Sequence, residues 1–217
     1  GKDYPVIVHI AGSQMMPGGY GIDYMQKFCS TAEKEGLIDA VNVTGGWHEA
    51  PVPQISYQLP AGGFAYLADA IKRAVNVPVI ACNRINNIDT MEAILKNGMA
   101  DLVGTARGFL ADPEFSRKVL EGVPYNRCQG CNKCIEAVLK GKSVVCAYNP
   151  EAGREVEEKT HRRVISAKKV IVAGAGPAGL EAAKKSAERG YKTILCTKDD
   201  KLGGLLNTAA IPPEKQD

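Results

Sequence analysis

Four of the seven cysteines, Cys128, Cys131, Cys134 and Cys146, follow the spacing C-x2-C-x2-C-x11-C. Three thiols within seven residues can face one point only if the loop wraps around it. Four thiolates satisfy either a cubane iron–sulfur cluster or a tetrahedral zinc. A zinc ribbon normally uses two separated C-x2-C knuckles, and the second is missing here. The compact triple with a distant fourth cysteine is the usual iron–sulfur arrangement; zinc and incidental cysteines are the alternatives. Cys29, Cys82 and Cys196 stand apart among apolar neighbours. An odd count without a secretory leader argues against a disulfide framework and for a reducing, cytoplasmic setting.

A second signal is Val170-Ile-Val-Ala-Gly-Ala-Gly-Pro-Ala-Gly-Leu180, a G-x-G-x-x-G between a strand pattern and a helix pattern. Gly174, Gly176 and Gly179 would allow the tight turn and the close approach of a pyrophosphate to the helix N-terminus. About 20 residues on, an acid is expected at the ribose hydroxyl. That position reads Cys196-Thr197-Lys198, with acids only at Asp199 and Asp200.

Three loops follow strand-like runs. Asn83-Arg84-Ile85-Asn86 comes after residues 78–82, Ala106-Arg107-Gly108 after residues 101–105, and Thr44-Gly-Gly-Trp-His-Glu49 after residues 39–43. Loops at strand C-termini are where (βα) folds hold ligands, and phosphate sites favour the last two strands. Arg84 and Arg107 are candidates to supply charge there, with backbone N–H groups completing a cradle; two surface arginines are the plainer alternative. His48, on its glycine-loosened turn, can point into a strand-end cleft or be structural. His9 lies inside the first strand run as a core histidine or, if inward-facing, as a cofactor contact. His161 carries no site signal.

The elements that must position these residues alternate. Runs 5–10 (PVIVHI), 39–43 (DAVNV), 78–82 (PVIAC) and 101–105 (DLVGT) are continuously apolar, as in parallel strands buried on both faces. Between them Ile22, Met25, Phe28, Cys29 and Ala32 share a helical face. So do Phe64, Leu67, Ala68, Ile71 and Ala74, and Met91, Ile94 and Leu95. Asp89 or Thr90 can cap the third helix, and Gly98 stands at its C-terminal glycine position. The pattern is (βα) repeated four times, which right-handed crossovers lay in one parallel sheet, open or part of a barrel. Residues 151–169 read as a solvated connector. A strand at 170–173, a helix at 177–189 and a strand at 193–196 follow.

The 217 residues, 45% hydrophobic and 24% charged, exclude disorder and low-complexity sequence. No apolar run reaches membrane-spanning length. A formal charge of +3, from 27 basic and 24 acidic residues, is too weak to argue for nucleic acid or anionic membrane.

Taken in order, Gly45-Gly-Trp-His-Glu-Ala50, Asn83-Arg-Ile-Asn86, Asp101-Leu-Val-Gly-Thr-Ala-Arg107, Leu110-Ala-Asp-Pro113, the cysteine run and the glycine turn resemble the iron–sulfur flavoenzymes of the old yellow enzyme superfamily. This group includes 2,4-dienoyl-CoA reductase, 2-enoate reductase and trimethylamine dehydrogenase. The resemblance implies an α/β chain made of the C-terminal half of a (βα)8 TIM barrel (strands 5–8, residues 1–122), a 4Fe–4S segment with connector (123–167) and the start of a Rossmann-like FAD domain (168–217). It implies FMN, held by His9, Asn83, Arg84, Thr105, Ala106 and Arg107, and a 4Fe–4S cluster on Cys128, Cys131, Cys134 and Cys146. It implies FAD on Gly174, Gly176, Ala178, Gly179, Thr197, Gly203, Gly204 and Leu205. His48 matches an active-site histidine that would donate to developing enolate charge near the substrate carbonyl. In such an enzyme electrons pass from NAD(P)H through FAD and the cluster to FMN, which delivers hydride to an activated C=C bond of a small-molecule or CoA-thioester enone.

Two positions depart from the family. His9 stands where the family usually has Arg or Lys, and Thr197 where an acid would hold the ribose. The resemblance begins at the fifth barrel strand, so an internal piece of a longer enzyme is expected, inactive by itself. It should be a homo-oligomer through an open sheet edge and an exposed inner face. The sibling expectations are an amine dehydrogenase that sends electrons the other way, and a non-enzymatic metal-binding module.

Overall fold

The computed structural model describes residues 4–47, 49–51, 58–160, 164 and 168–212. The chain divides into two compact units, residues 1–153 and 154–217. The boundary falls inside the connector, so the cysteine segment belongs to the first unit.

The first unit opens with β1 (Ile7–Ala11), α1 (Ile22–Lys34), β2 (Ala40–Thr44), α2 (Ala65–Lys72), β3 (Val79–Ala81), α3 (Ile88–Lys96) and β4 (Leu102–Val103). The four strands form one parallel sheet in sequence order. This is the arrangement of four consecutive (βα) units of a barrel. Val8 and Ile10, Val41 and Val43, Val79 and Ala81 point to the helix-covered face. There they meet Cys29 and Ala32 of α1, Leu67, Ala68 and Ile71 of α2, and Met91 and Ile94 of α3. Leu67 and Ile71 are 1% and 0% exposed, so α2 sits at the centre of this core.

Burial on both faces is not what the described residues show. The second face of the sheet, carrying Ile7, His9, Asn42, Thr44, Ile80 and Leu102, stays open, and Ile7 and Leu102 are exposed. The strands still read as unbroken apolar runs because alternate positions there hold Ile and Leu beside the polar residues. α3 is capped by Asn87, not by Asp89 or Thr90: its side-chain oxygen accepts from Thr90 N–H at 2.9 Å. An extended residue just before the first turn is the one placed to do this. Gly98, at φ +66, ends the helix as expected.

Beyond β4 come α4 (Ala106–Ala111), α5 (Phe115–Glu121) and α6 (Lys133–Leu139). Asp112, 2% exposed, ties this stretch together. It pairs with Lys118 at 2.7 Å and accepts from Asn126 N–H at 2.9 Å. Burial works against its charge, but these bonds and that of Glu114 N–H hold its carboxyl below the usual range.

The second unit contains α7 (Glu155–Thr160), which the polar composition of the connector concealed, then β5 (Lys169–Ala173), α8 (Pro177–Glu188), β6 (Lys192–Cys196) and α9 (Leu206–Ala209). β5 and β6 pair in parallel. No described helix in either unit is long and apolar enough to cross a membrane.

Candidate functional site

Parallel strands of nearly equal reach bring their C-terminal ends to one rim, and the connecting loops build a cavity of about 470 Å³ there. Its lining contains His9 of β1, Asn42 and Thr44 of β2, Cys82–Asn86 after β3, and Gly104–Arg107 after β4. His9 stands opposite Asn42 in the strand register, on the open face. It is therefore a cavity residue and not a core histidine. Asn83, Arg84, Thr105, Ala106 and Arg107 all line this cavity, Ala106 and Arg107 from the first turn of α4 and not from a loop.

The β3 loop is unusual backbone. Asn83 and Arg84 both have left-handed φ, +71 and +51, a combination that L side chains rarely adopt and that clusters at binding sites. Asn83 Nδ2 donates to the Gly45 carbonyl at 3.3 Å, and the Arg84 carbonyl accepts from Gly62 N–H at 3.0 Å. The loop is thus pinned at both residues. Burial, then the neighbouring Arg107 and Arg127, lower the Arg84 pKa, while Cys128 acts the other way. A half-buried guanidinium with further arginines beside it is a strong site for an anionic group such as a phosphate.

Sequence reasoning missed several lining residues. Cys82 is not a plain core cysteine: its Sγ lies 2.9 Å from Asn42 Oδ1, and it faces the cavity. Burial raises its pKa, against the hydrogen bonds to Asn42 and Gly104. Gly104 is tied to it, because a Cβ there would sit 2.7 Å from the Cys82 sulfur. Asn42 was legible in principle, being with Asp39 one of two polar side chains in the run DAVNV. Cys29, in contrast, is fully buried in the core, and its thiol is pushed up to about 11 by that burial. Cys196 is exposed.

Next to this cavity, Cys128, Cys131, Cys134 and Cys146 line one smaller cavity, together with Arg107, Asn132 and Tyr148. α6 carries Cys134 inward, and the left-handed Asn132 turns the loop immediately before it. Burial raises the Cys128 pKa. Gly130 N–H and Arg107 lower it, and Cys134 and Cys146 raise it as neighbouring charges. The donor set is four soft thiols, the ligand type that a metal centre deprotonates on binding. That chemistry fits an iron–sulfur cluster or a thiolate-bound metal. Among the described residues, however, no group of three or more His, Cys, Asp or Glu is already drawn together around a single ion.

In the second unit the glycine turn lies between β5 and α8. Gly174 has φ +104, and a Cβ on Gly179 would lie 1.8 Å from the Gly174 carbonyl oxygen, so helix and turn touch through hydrogen atoms alone. Nothing stands near a Cβ built on Gly176. Gly203 N–H donates to the Ala175 carbonyl at 2.8 Å, laying Gly203 and Gly204 over the same turn. Ala178 is the second residue of α8, and Leu205 is exposed beside the glycine pair. The turn leaves room for a pyrophosphate at the N-terminus of α8, which fits FAD. Thr197 follows β6, its hydroxyl accepting from Asp199 N–H at 3.2 Å. His48 and His161 lie outside the described residues.

Fold and site together define an α/β chain with a barrel-type ligand rim and a dinucleotide turn. A family model for the NADH:flavin oxidoreductase / NADH oxidase family matches residues 15–126, and one for FAD dependent oxidoreductases matches residues 169–215. The chain belongs to the NADH:flavin oxidoreductase / NADH oxidase family. It is 48% identical to a metal reductase of Desulforamulus reducens over the whole of this chain and 33% of the relative. Superposed on 2-naphthoyl-CoA reductase in complex with 2-naphthoyl-CoA, it gives a TM-score of 0.92 at 31% identity, covering all of this chain and 34% of that one. With histamine dehydrogenase from Rhizobium sp. 4-9 the TM-score is 0.83 at 25% identity, covering 98% of this chain and 31% of that one. The chain spans about a third of the length of the curated relatives it matches.

Proposed function

We propose that this chain is the part of an NAD(P)H-dependent flavin and iron–sulfur oxidoreductase that grips FMN from one side, ligates a 4Fe–4S cluster and begins the FAD domain. The whole protein reduces an activated C=C bond, in a dienoyl-CoA, an enoate or an aromatic acyl-CoA. The observation that carries this reading is the pair of adjoining cavities, one with arginines at strand ends and one lined by four thiols, sharing Arg107 and Cys128. The likeness to 2-naphthoyl-CoA reductase over the full chain supports the substrate class.

Bound flavin and cluster would supply hydride transfer and one-electron transfer. The chain's own residues do the positioning. Arg84 and Arg107 hold an anionic phosphate at the rim, and Asn83 fixes the loop against Gly45. Asn42 and His9 present polar groups along the open face, where the family resemblance expects a lysine or arginine in place of His9 to meet developing negative charge. His48 would donate a hydrogen bond to substrate. In the second unit Gly174, Gly176 and Gly179 admit FAD pyrophosphate.

Iron, sulfide, zinc and flavin analysis of protein purified without oxygen tests the reading. Iron and sulfide near four per chain, with a visible band bleached by dithionite, support it; stoichiometric zinc without iron refutes it. A second reading keeps the cofactors and changes the electron outlet. The 48% identity to a metal reductase favours a metal ion as the acceptor. Assaying the whole protein for NADH-dependent consumption of an enoyl thioester against a ferric chelate separates the two. The open sheet face, with Ile7 and Leu102 exposed, supports self-association of this chain in the reducing cytoplasm. A monomer by light scattering would sink that part.

A further inference from the structure

The strand-end cavity and the thiol-lined cavity are joined by more than proximity. Arg107 and Cys128 line both. Two hydrogen bonds cross to the cysteine loop, one from the β3 loop and one from the start of α4. Asn86, after β3, donates through Nδ2 to the Cys128 carbonyl, and Arg107 donates through Nη1 to Asn132 Oδ1 at 2.7 Å. Asn132 is the left-handed residue that sets the start of α6 and with it Cys134. Each bond therefore fixes one of the thiol-bearing backbone segments against a wall of the larger cavity.

Asn86 has a second feature. It is 6% exposed and lines the larger cavity, yet its Oδ1 has no hydrogen-bond partner among the described residues. A carbonyl can only accept, so the Cys128 carbonyl must face the amide nitrogen, and this leaves the oxygen for something else. A buried amide oxygen left unmatched carries a desolvation cost that a ligand donor removes. The group that meets it must offer an N–H or O–H.

We propose that the two cavities are thermodynamically coupled and that Asn86 is the positioning residue that couples them. Filling the thiol cavity with a cluster raises the affinity of the strand-end cavity for FMN, and FMN raises cluster retention by the same factor. The inference rests on the reading above that these cavities hold FMN and a 4Fe–4S cluster. Its physical basis is order. Asn86 and Arg107 can face a ligand only while the Cys128–Asn132 loop they hold is in place. A cluster bridging four thiols fixes that loop before flavin arrives, so the ordering cost is met once and not twice. Reciprocity of binding free energies then requires the reverse effect.

The test uses the full chain, prepared without oxygen, with and without a reconstituted cluster, and titrated with FMN while flavin fluorescence is followed. The cluster-loaded form should bind FMN at least about five-fold tighter, the low end of the roughly 5–150-fold range of such couplings. Iron retained against graded chelator should shift by the same factor when FMN is present. In Asn86→Ala the ratio should fall towards one. Asn86→Asp keeps the acceptor but replaces the donor to Cys128, and should lose the coupling too. Asn86→Gln, which retains both amide groups, should recover part of it and serves if the alanine variant does not fold by circular dichroism. Equal FMN affinity in the two wild-type forms overturns the coupling. A ratio unchanged in every Asn86 variant overturns the role of Asn86. Absence of any FMN binding in either form overturns the proposed function itself, and the inference with it.

Discussion

The two sheets of this chain are stabilised differently. The four-stranded sheet owns a core: Cys29, Val41, Leu67, Ile71, Val79 and Ala81 are essentially inaccessible beneath three helices. The two-stranded sheet is packed by α8, and Ala175 is the only buried residue among the described ones of its unit. Its strands alternate between half-buried and exposed positions, with Ile171 at 68% exposure. What specifies it is backbone contact at the glycine turn, which no side-chain packing replaces. The first unit holds its site in place through burial, and the second through close approach.

The largest effect should come from the burial side. Leu67→Ala removes a side chain at the centre of the first core and should cost about 2–5 kcal/mol, read as a lower denaturation midpoint for the first unit. Hydrogen exchange over residues 169–212 should not change. The mirror experiment is Gly179→Ala. A Cβ 1.8 Å from a carbonyl oxygen forces helix and turn apart, at a cost on the order of 3 kcal/mol. Exchange should rise across β5, α8 and β6 while the first sheet stays protected. If both substitutions moved both units, the comparison would fail.

Asp112 tests how firmly the cysteine loop belongs to the first unit. Its depressed folded pKa means that its contribution is fully present above the ordinary carboxylate value, about 3.9, and is lost as pH falls through the lower folded value. Asp112→Asn should cost about 2 kcal/mol near neutrality and flatten the stability loss below about pH 4. A smaller effect is expected at the cavity floor. Gly104→Ala meets the Cys82 sulfur at 2.7 Å and should cost roughly 1–2 kcal/mol, recovered in the Cys82→Ala/Gly104→Ala pair. Smallest is Asn87→Ala, which removes the α3 cap and about 1 kcal/mol, seen as a modest fall in midpoint.

Much of the first sheet was legible because its strands are short β-branched runs separated by amphipathic helices, and each was placed within a residue or two of β1 to β4. The glycine turn was legible for a different reason. Only glycine tolerates φ +104 at Gly174 or contact with a carbonyl at Gly179, so the residue type announces the geometry. α4 to α7 and α9 were not read, and residues 106–108, expected as a loop, form the first turn of α4. These helices are four to seven residues long, too short for periodicity to rise above noise. Asn86 and Cys82 were hidden because a polar or sulfur side chain next to a strand end looks the same whether it faces helix, solvent or cavity.

Residue type and spacing alone determined that four thiols belong to one group, that a glycine-rich turn follows a strand in the second unit, that arginines stand at two strand ends and that the chain resembles an iron–sulfur flavoenzyme. Such features are local: a few consecutive residues set each one. Only the tertiary structure decided that His9 faces the cavity, that Asn87 is the cap, that Cys82 leans on Asn42, and that the arginine rim and the thiol loop share Arg107 and Cys128. Those facts depend on which face of each strand the helices cover and how far each loop folds back, and packing across the whole unit settles them.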